Sequence, residues 1–441
     1  MVSQLNYSLN AFIVFSNAYS TQYDLASKFL SLFPLFGIMS SVEKISVNNE
    51  RGSCMTILIK LAILILQLFY SLFKLLPVKN KITLISRQAD TPSIDFELLK
   101  KGIKKAHPDF DVVMLCKMFN GGIGRKISYA FHFFTQMYHM ATSRAVILDS
   151  YCILASVLKH RSSLLIIQMW HSVGTMKQFG YSILDKPEGS SSKIAHLMKM
   201  HRGYSYVLCA GDGYIDHLAQ GFDVDKSIIK VLPLPRVELL QDEKYTEQKR
   251  KDIFSKYPEL DPVNGRKNVV YVPTFRKADD KDFDDAVNDF ADNLDFERYN
   301  LIVKAHPLAE IHSTGSNTAG YRDDPRIITA DEFTSMDMLF IADAVVSDYS
   351  CIIYEAAVLM KPLYFYTYDY DSYMSTRDIY MDYKKEIPGP ICPDGNSLAS
   401  ALDGMDKYDM DRLSSFLKKY VSVSGHETED IVDFIFSHFK D

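Results

Sequence analysis

The chain has 441 residues, which is enough for two or three domains with large buried cores. Its net charge of −6 excludes a general nucleic-acid binder, because such proteins are usually basic. The six cysteines form no CxxC pair and no cysteine–histidine ligand spacing. This excludes a disulfide framework and a structural zinc site, and it suits a reducing compartment.

No function is assigned to residues 1–54, where no basic segment precedes a compact apolar signal core. Residues 56–76 are long and apolar enough to span a bilayer. Their polar residues recur at helical spacing and would form one narrow stripe: Lys60, Gln67, Ser71 and Lys74. We therefore predict an amphipathic helix over 55–79 that lies in the membrane interface. A transmembrane helix is the second choice, and a core helix of a soluble domain is the third.

From Lys81 onward, apolar strands alternate with helical patterns such as 94–106 and 128–140. The strand candidates of this first series are 82–86, 111–115, 145–148, 164–169 and 206–210. Such alternation predicts an α/β domain with a parallel sheet that is covered by helices on both faces.

A polar, charged segment at 241–267 predicts a helix plus a linker between two domains. A second alternating series follows it, with strand candidates at 269–274, 301–305, 326–329, 344–347 and 363–368. We therefore predict two tandem Rossmann-like, doubly wound domains, 80–240 and 268–441. Their ligands would bind in a shared cleft at the carboxyl ends of the strands.

The stretch 342–373 carries the clearest local pattern, a strand, a sharp turn, a helix and a second strand. Ser350 in N-cap position predicts a helix over about 351–360, and Lys361-Pro362 would end it. The turn would expose backbone N–H groups and a hydroxyl at a helix N-terminus, which favours anion binding. An ordinary βαβ crossover with a capping serine fits the same spacing.

The first series offers one polar strand end, residues 170–177, directly after the strand 164–169. His171 could act there as a general base, and Gly174 and Lys177 would let the loop approach and neutralise a phosphate. The alternative is a structural histidine that packs beside Trp170, the single tryptophan of the chain.

Three strand ends of the second series also carry polar side chains. Thr274 and Arg276 follow its first strand, Lys304 and His306 follow its second, and 348–350 follow its fourth. Arg276, Lys304 and His306 together would make a cationic pocket that suits phosphate. Four functional strand ends in two tandem sheets are difficult to explain as structural coincidence.

Five segments resemble the CDP-glycerol glycerophosphotransferase family, the primases and polymerases of teichoic acids and related capsular polymers. In chain order they are ISRQADTPSIDFELL (85–99), QMWHSVGTMKQFG (168–180), YVPTFRK (271–277), VKAHP (303–307) and ADAVVSDYSCIIYEAAVLMKPLYFYTYDYDSY (342–373). The resemblance implies a GT-B-like fold and monotopic attachment to the cytoplasmic face of the cell membrane. It also implies transfer of a polyol phosphate, with glycerol phosphate favoured, from a CDP-activated donor to an acceptor hydroxyl, with release of CMP.

The resemblance further implies roles for individual residues. His171 matches the histidine of the family's WHG motif, the proposed base, and His306 matches that of its HP motif, so both are expected to be catalytic. The residues expected around the donor phosphates and ribose are Thr274, Arg276, Lys304, Asp348, Tyr349, Ser350 and Glu355. The residues expected in the acceptor loop are Trp170, Ser172, Gly174 and Lys177.

The sequence departs from the family pattern at three places. WHG reads WHS, with Ser172, and DYSS reads DYSC, with Cys351. The usual Gly-x-Pro-Arg-x-Asp stretch reads PLPRVE over 233–238. These departures leave the reaction type standing, but they leave the polyol and the acceptor open.

The expected partners are a CDP-activated polyol such as CDP-glycerol, an undecaprenyl-linked or polymer acceptor, and the membrane surface. No cofactor and no metal-ligand set is predicted. Metal dependence stays open, and a strand-end turn is the preferred interpretation of the single DxD-like element, Asp369-Tyr370-Asp371. The basic loop 186–202 would meet an anionic acceptor or the membrane, or would be a plain surface loop.

Two other functions remain open, a GT-B enzyme that uses a nucleotide sugar and a weakly active membrane scaffold of a polymer-assembly complex.

Overall fold

The computed structural model describes residues 49–118, 123–274, 281–304, 321–376 and 378–439. This part of the chain forms two compact units. The first contains the described residues of Met1–Met169, Leu184–Val207 and Val432–Asp441, and the second contains those of Trp170–Ile183 and Leu208–Ile431. The histidine loop, residues 170–177, therefore belongs to the same unit as the strands of the second series. The functional division into 80–240, a linker at 241–267 and 268–441 stays a prediction.

The described chain begins with a 25-residue helix, α1 (Asn49–Phe73). Four residues at helical spacing bury one face of α1 in the first unit: Ile59, Ala62, Leu66 and Tyr70. Five large apolar residues form a stripe on the opposite face and are exposed: Ile57, Leu61, Leu64, Leu68 and Leu72. By length and composition Thr56–Phe73 could cross a membrane, a criterion that core helices and signal sequences also meet.

The predicted polar stripe of α1 lies on the flank between these two faces. The Gln67 side-chain carbonyl accepts a hydrogen bond from the Lys159 backbone N–H at 2.7 Å, and the Lys74 ammonium donates to the Lys159 carbonyl at 2.9 Å. Two polar residues of the stripe therefore attach the helix to its own unit, while Lys60 and Ser71 are exposed beside the apolar stripe.

The first sheet is parallel and contains six strands in the described residues. They are β1 (Lys81–Ser86), β2 (Asp111–Cys116), β3 (Ala145–Leu148), β4 (Leu165–Gln168), β5 (Tyr206–Cys209) and β6 (Ile229–Val231). Their spatial order is β2-β1-β3-β4-β5-β6. Every residue of β1, β3 and β4 is buried, as in central strands that are covered on both faces. The predicted parallel sheet is confirmed.

Helices separate these strands along the chain, and the last two precede the first strand of the second sheet. They are α2 (Ile94–Ala106), α3 (Ile123–Thr142), α4 (Ile153–Val157), α5 (Ser192–Leu197), α6 (Ile215–Phe222), α7 (Arg236–Gln241) and α8 (Glu243–Lys256). The segment that was predicted as a helix plus linker is α8 followed by short turns.

The second sheet is also parallel, with six strands in the described residues. They are β7 (Lys267–Tyr271), β8 (Tyr299–Val303), β9 (Ile327–Ile328), β10 (Ala344–Ser347), β11 (Leu363–Tyr366) and β12 (Ile391–Cys392). Their spatial order is β12-β11-β10-β7-β8-β9. The chain builds outward from β7 through β9 and then returns to the other side of β7 with β10. The strand order therefore reverses between β7 and β10, the position at which doubly wound sheets bind ligands.

The remaining helices follow the strands of the second sheet. They are α9 (Lys281–Asn293), α10 (Ser335–Leu339), α11 (Ile352–Val358), α12 (Tyr370–Thr376), α13 (Tyr383–Glu386), α14 (Gly395–Asp403), α15 (Met410–Tyr420) and α16 (Glu427–Ser437). Single 3-10 turns occur at Gly180–Ile183, Asp212–Tyr214, Lys226–Ile228, Pro258–Leu260, Pro262–Asn264, Tyr321–Asp323 and Met405–Lys407.

The structure corrects the predicted elements in two respects. Strands β6 and β12 were not predicted, because three and two residues are too few to show a pattern. The N-cap of α11 is Cys351, one residue after the predicted Ser350, and its side chain makes no capping hydrogen bond. The Ser350 hydroxyl instead accepts a hydrogen bond from the Ile352 N–H at 3.5 Å.

Candidate functional site

The reversal point of the second sheet is held together by a carboxylate. The Thr274 N–H, three residues past β7, donates to both carboxylate oxygens of Asp348, at 2.8 and 3.1 Å. One residue before Asp348, the Ser347 hydroxyl donates to the Val272 carbonyl at 2.8 Å. These contacts connect the carboxyl ends of β7 and β10 side by side. They place the predicted residues Thr274 and Asp348 in one site.

Aromatic packing fixes the turn that follows β10. Tyr349 is buried and stacks on Tyr373 at a centroid distance of 3.8 Å. The Tyr383 hydroxyl donates to the Asp348 carbonyl at 2.9 Å. Asp348 is itself fully buried, and its carboxylate would repel a phosphate. Its contacts therefore indicate that Asp348 positions the turn after β10 and does not bind the phosphate itself. A direct donor contact by Asp348 or Tyr349 stays a prediction.

The histidine loop, residues 170–177, enters the second unit through a left-handed residue. Trp170 has φ of +63°, a conformation that costs a side-chain-bearing residue about 1–2 kcal/mol and needs support from its surroundings. The support is aromatic, because the centroid of the Trp170 ring lies 4.4, 4.7 and 5.2 Å from the ring centroids of His171, Phe179 and Phe222 respectively. His171 thus packs beside the tryptophan and also belongs to a loop whose backbone is set by that packing.

The same loop lies directly on the beginning of α11. A Cβ at Gly174 would fall 2.1 Å from the Tyr214 hydroxyl and 2.2 Å from the Tyr354 ring, so glycine is required by close approach. The Ser172 hydroxyl donates to the Gly174 carbonyl at 2.7 Å. The Met176 backbone and the Ser172 side chain lie near the Cys351 thiol. Burial raises the pKa of Cys351, which makes it an unreactive packing group.

Lys177 lies at the far end of the loop and is close to the reversal point. Its backbone pairs with Ile379 in an antiparallel bridge, which two hydrogen bonds of 2.9 Å flank, from Gln178 N–H to the Asp378 carbonyl and from Tyr380 N–H to the Met176 carbonyl. The Lys177 ammonium lies 3.3 Å from the Thr274 hydroxyl. The structure therefore places Lys177, a predicted acceptor-loop residue, beside a predicted donor residue.

Arg236, the first residue of α7, was not predicted as a site residue. One guanidinium nitrogen lies 3.5 Å from the Glu355 carboxylate, and another donates to the His171 carbonyl at 3.3 Å. The Glu355 side chain is 6% exposed and that of Arg236 is 19% exposed, so solvent screens this ion pair weakly. Arg236 lies in the PLPRVE stretch, which was noted only as a departure from the family pattern.

Lys304 directly follows β8. Its ammonium donates to the carbonyls of Thr329 at 3.0 Å and Ala330 at 2.8 Å. Arg276 and His306 lie outside the described residues. The cationic pocket of Arg276, Lys304 and His306 therefore stays a prediction.

Within the described ranges, no group of three or more His, Cys, Asp or Glu side chains could hold a metal ion. Asp369 of the DxD-like element lies 3.5 Å from the Tyr349 hydroxyl, which acts as the donor.

Residues 68–437 match the family model described as CDP-glycerol:poly(glycerophosphate) glycerophosphotransferase. The chain belongs to this family. The match covers both sheets and the whole site described above, so the resemblance read from five short segments is confirmed.

Two relatives show how the family extends over the chain. This chain is 29% identical over 369 residues to a teichoic acid ribitol-phosphate primase of Bacillus spizizenii, and the match covers 82% of this chain and 92% of that protein. It is 26% identical over 311 residues to a teichoic acid glycerol-phosphate primase of Bacillus subtilis, covering 69% of this chain and 76% of that protein.

The fold is similar to that of the wall teichoic acid polymerase TagF. A TagF structure with CDPG superimposes with a TM-score of 0.63 at 18% identity, covering 89% of this chain and 98% of TagF. At this identity the likeness supports the GT-B-like fold and nothing further.

As a member of the glycerophosphotransferase family, this chain transfers polyol phosphate from CDP-activated donors in teichoic acid synthesis. The donor class predicted from the sequence is supported, and the nucleotide-sugar enzyme and the scaffold are not favoured.

Proposed function

We propose that the reversal point of the second sheet and residues 170–177 form the active site of this transferase. The observation that carries the proposal is the double contact of Arg236. It connects the backbone of the proposed base, His171, to Glu355, the proposed ribose ligand, within one compact unit. Base and donor site are thereby parts of a single pre-organised structure.

In the proposed reaction an acceptor hydroxyl attacks the β-phosphorus of the CDP-polyol. The new bond joins the acceptor oxygen to that phosphorus, and the bond from the phosphorus to the bridging oxygen breaks, so that CMP leaves. His171 takes the proton of the acceptor hydroxyl. Hydrogen-bond donors and cations around the pyrophosphate stabilise the developing negative charge. We propose this role for Thr274, Ser350, Arg276, Lys304 and the second catalytic residue, His306.

The proposed donors are CDP-glycerol and CDP-ribitol, because relatives of both kinds match the chain. The proposed acceptor is an undecaprenyl-linked or polymeric hydroxyl. Residues 80–240 are proposed to supply acceptor contacts, and residues 268–441 are proposed to supply donor contacts.

We further propose that α1 attaches the enzyme to the cytoplasmic face of the membrane without spanning it. A single spanning helix would have to leave the first unit to enter the bilayer, but Ile59, Ala62, Leu66 and Tyr70 are buried in that unit. The exposed apolar stripe on the opposite face suits an interfacial helix. A lipid-linked acceptor would be reached from that position.

The test is CMP release by detergent-solubilised full-length protein, with CDP-glycerol or CDP-ribitol and a membrane-lipid acceptor fraction, with and without EDTA. His171→Ala and His306→Ala are compared with the exposed control His426→Ala. We expect acceptor-dependent release that both site variants lose and the control retains. Loss on EDTA treatment, restored by Mg²⁺, would establish a metal requirement.

Absence of CMP release from both donors would refute the proposed activity. Release that survives His171→Ala would keep the transferase but exclude His171 as the base.

A further inference from the structure

Lys177 occupies the place at which doubly wound sheets bind ligands. Thr274 follows the carboxyl end of β7, next to the point where the strand order reverses, and the Lys177 ammonium lies 3.3 Å from its hydroxyl. Lys177 itself comes from the histidine loop. An ammonium and a hydroxyl from two distant chain segments therefore converge at the ligand edge of the second sheet.

Contacts within the second unit hold Lys177 in position. The bridge to Ile379 and the two flanking backbone hydrogen bonds hold its main chain. Its ammonium lies 5.6 Å from the centre of the Tyr373 ring, and Tyr373 stacks on Tyr349 of the turn after β10. A lysine held in this way loses little conformational freedom on binding, because most of the ordering is already done. Its side chain remains partly accessible.

The chemistry of the pair selects an anion. An ammonium offers up to three N–H donors and full positive charge, and the threonine hydroxyl offers one more donor. Converging donors with positive charge match the oxygens of a phosphate better than a neutral polyol. The neighbouring Asp348 carboxylate accepts N–H groups from Thr274 and Tyr349. Those contacts orient it toward the backbone.

We propose that Lys177 binds the pyrophosphate of the donor together with Thr274, and is not an acceptor-loop residue. This inference rests on the proposed function and deepens it. Because CMP gains negative charge as the phosphorus–oxygen bond breaks, a cation at this position would also stabilise the leaving group. The histidine loop would then contribute its base near one end and a donor-phosphate ligand at the other.

The experiment measures equilibrium affinity of the full-length, detergent-solubilised protein for cytidine, CMP and CDP. These ligands differ only in having zero, one or two phosphates. Lys177→Ala and Lys177→Met are compared with the wild type, with Lys177→Arg as the charge-keeping variant and the exposed Lys418→Ala as the control. Cytidine affinity also reports whether each variant is folded.

We expect Lys177→Ala and Lys177→Met to lower CDP affinity about 10- to 100-fold and to leave cytidine affinity unchanged, as for loss of a hydrogen bond to a charged group. Lys177→Arg should retain most of the CDP affinity, and Lys418→Ala all of it.

Equal losses for all three ligands would overturn the inference in favour of a structural role for the loop. Unchanged CDP affinity, with a raised KM for the acceptor in the CMP-release assay, would assign Lys177 to the acceptor instead. If the wild type binds CDP no better than cytidine, the proposed donor site fails as a whole. Wild-type preference for CDP that Lys177→Ala retains refutes only the role of Lys177.

Discussion

The side chains of Ser172 and Cys351 lie close together, and the Ser172 hydroxyl partly offsets the rise that burial causes in the pKa of the Cys351 thiol. These are the two positions at which the chain replaces the second residue after tryptophan in WHG and the last residue of DYSS. They lie 179 positions apart in sequence, yet the structure brings them together where the histidine loop packs on α11. The two departures are therefore one local change, in which a hydroxyl is present on the loop and a thiol on the helix.

We expect Ser172→Gly and Cys351→Ser to be strongly non-additive, because each single change alters the partner of the other. The coupling energy should be about 0.5–3 kcal/mol, as for residues in contact. It is measured from kcat/KM for CMP release by the wild type, both single variants and the double variant. Additive effects would show that the two positions act independently.

Arg236→Gln should lower kcat and raise the KM for the CDP-polyol together, by about 10- to 100-fold in kcat/KM. The change removes the positive charge beside the buried Glu355 carboxylate and the guanidinium hydrogen bond to the His171 carbonyl. Arg236→Lys keeps the positive charge but lacks the two-pronged guanidinium group. Its kcat/KM should lie between the values of the wild type and Arg236→Gln.

The control for Arg236 is Arg298→Gln, which removes an exposed ion pair with Asp403 and should change little. A fall in melting temperature of Arg236→Gln, with kcat and KM unchanged in the folded fraction, would limit Arg236 to a structural role.

Gly174→Ala should disturb the histidine loop, because the new methyl group would overlap the Tyr214 hydroxyl and the Tyr354 ring, both of which are buried. We expect a loss of about 1–3 kcal/mol in the free energy of unfolding and reduced CMP release. Gly404→Ala is the matched control, since its nearest neighbour would be 3.4 Å away. Equal unfolding free energies of the two variants would contradict the close packing at Gly174.

Asp149→Asn should stabilise the protein in a pH-dependent way. Burial raises the pKa of Asp149 to about 6 from an ordinary value of 3.8. At pH values well below 3.8 the group is protonated whether the chain is folded or unfolded. As the pH rises from 4 to 6, the unfolded chain ionises first, so the folded protein loses up to about 3 kcal/mol and does not regain it at higher pH. The neutral amide avoids this loss.

Thermal unfolding of Asp149→Asn and wild type at pH 4 and pH 7 checks this prediction. The advantage of the variant should be larger at pH 7, and the exposed Asp411→Asn is the control. A constant difference between variant and wild type would contradict the raised pKa.

Replacing Leu64 and Leu68 by Glu should weaken binding to anionic lipid vesicles, because both side chains lie on the exposed stripe of α1. Co-sedimentation with vesicles measures the effect, and the exposed Val263→Glu in the second unit is the control. Unchanged co-sedimentation of the double variant would exclude the stripe as the attachment surface.

The sequence by itself determined the two parallel sheets, because continuous apolar strands alternating with helices admit few other folds. It also identified the family, since motif order survives where overall identity is low. Thr274 and Asp348 could be predicted as neighbours because parallel strands bring their carboxyl ends to one edge.

Only the tertiary structure decided which residues of the site touch. The contacts of Lys177 with Thr274, of Arg236 with His171 and Glu355, and of Ser172 with Cys351 join segments that are far apart in the chain. Local pattern carries no information on such pairs, because they depend on how loops pack after the sheets have formed. The direction of the exposed apolar stripe of α1 was hidden for the same reason. The sequence showed a polar stripe, but which apolar face would be buried depended on the surface against which the helix packs.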